Sequence, residues 1–212
     1  MAIEGLVSAV WELEGYLTRV RWPVATERGQ YSDIDVVGVS SAAVRVAECK
    51  ARGAANAVLV MPDGVDLEAW LGDWADSLVN VQRLWTSPPE WLPRGRSVHV
   101  EFWYCANVWF PSEDVRTSVD AQLTAMLASR APKVGAPVVG RFYSTLDVLL
   151  MAIRGVRKSV QVQGRRFGNP ILDILRELVR YTAADPKGGG RGLAPRVVDE
   201  SMARLTEAIK GS

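Results

Sequence analysis

The chain has 212 residues, 48% of them apolar, enough to bury a sizeable core in one domain or in a core with a small appendage. There is no apolar run of the ~18 residues a membrane span needs, and Glu4, Glu12 and Glu14 stand where a signal peptide would be basic and then apolar, so neither is expected. The formal net charge of +1 conceals an asymmetry: residues 1–140 hold 12 basic and 17 acidic side chains, whereas residues 141–212 hold 13 and 7.

Cys49 and Cys105 both lie in apolar, strand-like segments. They read as buried thiols of a reducing, cytoplasmic compartment rather than a disulfide. The chain has no CxxC and no Cys/His cluster, which argues against a zinc site. Its one histidine, His99, sits in an apolar alternating run and reads as structural.

From the N-terminus, Ile3, Leu6, Val7, Val10, Leu13 and Leu17 recur at i, i+3 and i+4 and predict an amphipathic helix within Ala2–Val20. Gly15 and Tyr16 fall near its end, and TRVRWPVAT then reads as a short strand. Tyr31–Gly53 follows as two apolar runs, Val36–Val39 and Val44–Ala47, joined by Ser40, Ser41 and Ala42, the pattern of a β-hairpin. With Ser41 and Ala42 as a two-residue loop, Asp35 falls opposite Glu48 and Asp33 opposite Lys50. Two carboxylates directly opposite on a sheet repel. A divalent cation is the natural offset, because hard cations such as Mg²⁺ take carboxylate oxygen.

Val65–Trp85 reads as a helix, in which Trp70 and Trp74 are expected to pack against a sheet rather than stack on bases. Ser97–Phe110 reads as a buried central strand or a bent pair of strands, with Glu101 its one acid. Ser112 is a plausible N-cap for a helix to about Arg130. A short strand is expected at Pro137–Phe142, and Ser144 is placed to cap the next helix. Beyond it, SVQVQ reads as a short extended piece. Arg154, Arg157, Lys158, Arg165 and Arg166 flank it, the best candidates to grip nucleic-acid phosphates. Helices are expected at Pro170–Ala184 and Pro195–Lys210, separated by the Gly-rich linker DPKGGGRG.

An Asp ahead of one apolar strand, a Glu-x-Lys at the end of the next, and a preceding helix ending in "GY" resemble the PD-(D/E)xK, restriction-endonuclease-like nuclease superfamily. The layout is nearest to its Holliday-junction-resolvase and Mrr-like members. The matching residues are Asp35, Glu48 and Lys50, in "DVVGV" and "VAECK"; Asp35 is preferred to Asp33 because it directly precedes the apolar run. The nominal proline is absent, since Ser32 precedes Asp33. The resemblance spans roughly Ile3 to Trp109. It implies an α/β fold with a mixed central sheet flanked by helices over residues 1–143, leaving a mostly helical basic extension over 144–212.

The resemblance further implies a Mg²⁺-dependent endonuclease (Mn²⁺ substituting) that hydrolyses DNA phosphodiesters, with Asp35 and Glu48 as metal ligands. Lys50 would orient or deprotonate the attacking water. The resolvase branch adds an early helix glutamate as a further ligand; Glu4, eleven residues before Gly15, matches it, and Glu12 or Glu14 could substitute. DNA is the implied partner, in repair, recombination or defence, and a homodimer or partner subunit is expected because cutting both strands calls for two sites. The alternative is a catalytically inactive nuclease-fold protein serving as a DNA-binding or assembly subunit.

Overall fold

Valine-rich alternation between positions 17 and 144 builds one sheet, and the i, i+3, i+4 segments around it build the helices that cover it. The computed structural model describes residues 2–25, 31–50, 58–71, 90, 99–130, 137–163, 167–182 and 195–210. Strands β1 (Leu17–Ala25), β2 (Tyr31–Val39), β3 (Ala43–Lys50), β5 (His99–Ala106) and β7 (Val138–Ser144) form a five-stranded sheet in the order β1-β2-β3-β5-β7. The first three are antiparallel neighbours, whereas β3, β5 and β7 run parallel. Two short strands, β4 (Leu59–Val60) and β6 (Val108–Trp109), pair in parallel beside it, so Ser97–Phe110 is indeed a bent pair.

Alternation along β3 and β5 divides the core between two faces. Val44, Val46, Phe102 and Tyr104, with Phe142 of β7, pack against helices α2 (Leu67–Leu71) and α3 (Glu113–Arg130) through Leu67, Leu71, Val115, Val119, Leu123 and Leu127. On the other face lie Arg45 and Trp103. There helix α1 (Ala2–Leu13) lays Trp11 edge-on against Trp103, with ring centroids 5.2 Å apart. A Cβ on Gly38 would stand 2.6 Å from Trp11 Cε3, so only glycine lets this ring approach β2. Trp70 is half-buried against Tyr104 and Phe142, a packing residue as expected; Trp74 lies outside the described residues.

The first helix is shorter than its periodicity suggests. It stops at Leu13, Gly15 takes a φ of 88°, and β1 begins at Leu17. A left-handed glycine is the usual way a helix ends. At the other end, α4 (Thr145–Gln163) runs straight through SVQVQ, so the extended piece expected there is helical. Val148, Ala152 and Val156 recur every four residues on its buried side, and the helix they set continues past Val156, overriding the short alternation of Val160 and Val162.

Helix starts follow the expected chemistry. The Ser112 hydroxyl accepts from the Val115 N–H at 3.3 Å. Ser144 and Asp147 cap each other, the Asp147 N–H reaching the Ser144 hydroxyl and the Ser144 N–H reaching the Asp147 carboxylate. The chain divides into two compact units, Met1–Leu149 and Leu150–Ser212, with the boundary inside α4. In the second, α5 (Pro170–Thr182) starts at Asn169, whose side chain accepts from the Ile171 and Leu172 N–H groups, and packs with α6 (Pro195–Lys210).

Candidate active site

The β2–β3 hairpin sets the geometry. Its register pairs Val39 with Val44, Gly38 with Arg45, Val37 with Val46 and Val36 with Ala47. Ser40 holds the turn: its N–H donates to the Ala43 carbonyl at 2.9 Å, and its hydroxyl accepts from the Ala42 and Ala43 N–H groups. This is the register of a two-residue loop, and its next step sets Asp35 against Glu48. The backbone ladder ends one pair short of them. The Cys49 N–H, six residues beyond Ala43 and so on the β2 side, donates instead to the Asp35 carboxylate at 2.6 Å. An acidic side chain thus takes over where the strand pairing stops.

Glu48 and Lys50 stand two residues apart at the end of β3. They form an ion pair at the carboxyl end of β3. Glu48 is only 7% exposed. Burial pushes its carboxyl up to about 7, and the Asp35 charge adds to the rise against the hydrogen bond and charge of Lys50. Burial also raises Asp35, opposed by the Cys49 N–H and Lys50 and reinforced by Glu4 and Asp33. For Lys50, burial works against the charged form, but the hydrogen bond it donates to Glu48 and the charges of Glu48 and Asp35 prevail, so it stays cationic. Burial and the Asp35 charge together make ionisation of Glu48 costly, a load that a bound cation would relieve.

Glu4 belongs to this cluster. It is buried on α1, ion-paired with Arg21 at 3.7 Å, and its charge is felt by Asp35. Glu12 is occupied elsewhere, accepting from the Ser8 and Thr18 hydroxyls, and Glu14 pairs with Arg45. Of the three acids of the first helical segment, Glu4 is therefore the one placed beside Asp35. Asp33 pairs with Pro23 of β1 and adds charge felt by Asp35 and Glu48.

Two arginines escape a reading of motifs. Arg45, between Val44 and Val46, is a half-buried clamp. It pairs with Glu14 and with Glu101 of β5, and its guanidinium lies 4.4 Å over the Tyr16 ring and 5.2 Å over Trp103. It ties the end of α1 to β3 and β5 and so fixes the helix that carries Glu4. A lone charge in a valine strand is the signal that marks it. Arg21 has a φ of 55°, the one non-glycine residue with positive φ among those described.

His99 is exposed at the first residue of β5, paired with Ala43 at the opposite end of β3 from Glu48. Five residues of strand, on the order of 16 Å, keep it out of the cluster. Cys49 and Cys105 are paired in register, buried, and not joined in a disulfide; their mutual hydrogen bond and burial raise the Cys49 thiol far above the usual range. Arg154, Arg157 and Lys158 are exposed on α4 at i, i+3 and i+4, one helix face rather than a hairpin wing; Arg165 and Arg166 lie outside the described residues.

Among the described residues no three Asp, Glu, His or Cys side chains gather as a ready-made ligand set. Asp35 and Glu48 interact as a pair, and the Glu4 charge also acts on Asp35. Their donors are all oxygen, which suits Mg²⁺: that ion commonly takes one or two carboxylates and keeps several waters. No helix among the described residues is long and apolar enough to cross a membrane.

The chain matches no protein-family model and no curated protein. Among solved structures it is similar to one described as a crystal structure of a protein of unknown function, AF1548. The identity is 17%, over 99% of this chain and 97% of that one, with a TM-score of 0.34, too slight a likeness to establish a shared fold.

Proposed function

We propose that this chain is a metal-dependent DNA endonuclease with a restriction-endonuclease-like core, its site built from Asp35, Glu48 and Lys50. The observation that carries the reading is the meeting of these three residues where the β2–β3 ladder ends, with Glu48 held near a pKa of about 7 by burial and by Asp35. The position adds support, because open α/β sheets bind ligands at the carboxyl ends of their parallel strands, and β3, β5 and β7 are parallel.

Asp35 and Glu48 would hold Mg²⁺ or Mn²⁺, with the Cys49 carbonyl and Glu4 as further oxygen donors. The bound ion would act as a Lewis acid on the phosphate and lower the pKa of a coordinated water. Lys50 orients the attacking water and stabilises the charge that develops on the phosphate oxygens. The Cys49 N–H keeps the Asp35 carboxylate aimed, and Arg45 keeps α1 seated. The exposed Arg154, Arg157 and Lys158 supply a basic helix face for phosphate contacts. Cutting both strands calls for two sites, which favours a homodimer or a partner subunit.

The test is cleavage of supercoiled plasmid and of a branched oligonucleotide with Mg²⁺, Mn²⁺ or EDTA, wild type against Glu48→Ala. Metal-dependent cutting that disappears in the variant is the expected result. Metal-independent DNA binding without any cutting would instead identify a non-catalytic nuclease-fold subunit.

A further inference from the structure

Arg21 is unusual in its backbone rather than its side chain. It lies inside β1, at the edge of the sheet, between Val20 paired with Val36 and Trp22 paired with Ile34. The register is the same on both sides, so the distortion is confined to one residue, the one opposite Asp35. Its φ of 55° is a conformation that glycine or asparagine adopts far more readily than a long side chain. An arginine kept there implies that the side chain does something a glycine cannot. That side chain is 54% exposed and reaches Glu4 at 3.7 Å.

The charges of Glu4 and Asp33 act on Asp35, and those of Asp33 and Asp35 on Glu48, while Arg21 and Lys50 are ion-paired with Glu4 and Glu48. A phosphodiester brought to these groups adds a negative charge of its own. Lys50 is committed to Glu48, whereas Arg21 is accessible to solvent and presents a planar fork matched to two phosphate oxygens. Resting on the nuclease reading, we propose that Arg21 is a substrate-binding residue, which leaves Glu4 and grips a backbone phosphate of the DNA when Glu4 turns to the cation. The positive φ sets the direction of a side chain whose guanidinium reaches Glu4.

The experiment compares wild type, Arg21→Gly, Arg21→Lys and Glu48→Ala for cleavage of a labelled DNA duplex in Mg²⁺ across DNA and salt concentrations, with melting temperatures measured alongside. Arg21→Gly is expected to keep its melting temperature or gain about 2–4 °C from relieved strain, while KM rises about ten- to a hundredfold from loss of a charge-assisted contact. Arg21→Lys should recover part of that loss, and the slope of log KM against log salt should fall by about 0.9 in Arg21→Gly. Should Arg21→Gly fail to fold, a raised KM in Arg21→Lys at wild-type melting temperature supports the assignment alone. An unchanged KM in Arg21→Gly, with a lowered melting temperature, overturns it, leaving Arg21 a mere counter-ion of Glu4 and the nuclease reading intact. A wild type that cuts no DNA, indistinguishable from Glu48→Ala, overturns both.

Discussion

Glu48 ends an apolar strand with a carboxyl that keeps its proton to about pH 7, well above its ordinary 4.5. The folded state therefore binds that proton more tightly than the unfolded chain does. Its contribution to stability is fully present below pH 4.5 and is lost as pH rises through 7, on the order of 2–4 kcal/mol. Denaturant titrations of the metal-free protein between pH 4.5 and 8 should show this fall, and Glu48→Gln should abolish it. If Asp35 and Glu48 hold Mg²⁺ as proposed, the ion competes with the same proton. Near pH 8, Mg²⁺ at a hundredfold excess over its dissociation constant should restore about 2.7 kcal/mol, and none in Glu48→Ala. Arg45 makes the opposite kind of contribution. It satisfies Glu14 and Glu101 together, so Arg45→Met leaves two acids without their partner and should cost about 2–4 kcal/mol, measured by urea unfolding.

The outer edge of the sheet shows how helix and strand fit together. β7 gives one side of its backbone to β5 and the other to α3: the Gly140 N–H reaches the Thr124 hydroxyl at 3.0 Å and the Phe142 N–H reaches Asp120 at 2.7 Å. Spaced at i and i+4, these two side chains cover an edge that would otherwise be open to pairing with another chain. Asp120→Ala should cost about 1–3 kcal/mol and raise aggregation on heating, measurable by light scattering. The close fit needs Gly140, where a Cβ would meet Leu123 Cγ at 2.6 Å. This lateral bonding was not legible in the sequence, because a helix hydroxyl or carboxylate gives no local sign of which strand it will meet. The hairpin was legible. Ser40, Ser41 and Ala42 are short, and a slip of one residue would move Val37, Val44 and Val46 to the other face of the sheet. So the two-residue loop and the pairing from Val39–Val44 to Val36–Ala47 could be read from residues alone, whereas the clamp at the end of α1, Arg45, belongs to no motif. SVQVQ misled because five alternating residues weigh less than the helix already running into them.

At the scale of the molecule, acids and bases are unequally shared, with 17 acidic side chains in residues 1–140 and 13 basic ones in residues 141–212. If the basic helix face meets DNA, reversing Arg154, Arg157 and Lys158 to glutamate should weaken binding for every sequence alike and flatten its salt dependence, by about 0.9 in slope per lost phosphate. The order of the sheet has a further consequence, for folding. Glu4, Asp35, Glu48 and Lys50 all lie within the first 50 residues, on a helix and an antiparallel meander whose contacts are local. The parallel strands β5 and β7 must each be brought in by a long crossover, closing loops whose entropy cost comes before any contact repays it. The acidic cluster should thus assemble ahead of the rest of the sheet. Val37→Ala in the hairpin should slow refolding, with a φ-value well above that of Phe142→Leu in β7. The chain would then bring three carboxylates together before the parallel half of its core has closed, and, if they hold magnesium as proposed, the ion added during refolding should speed the first step rather than the last.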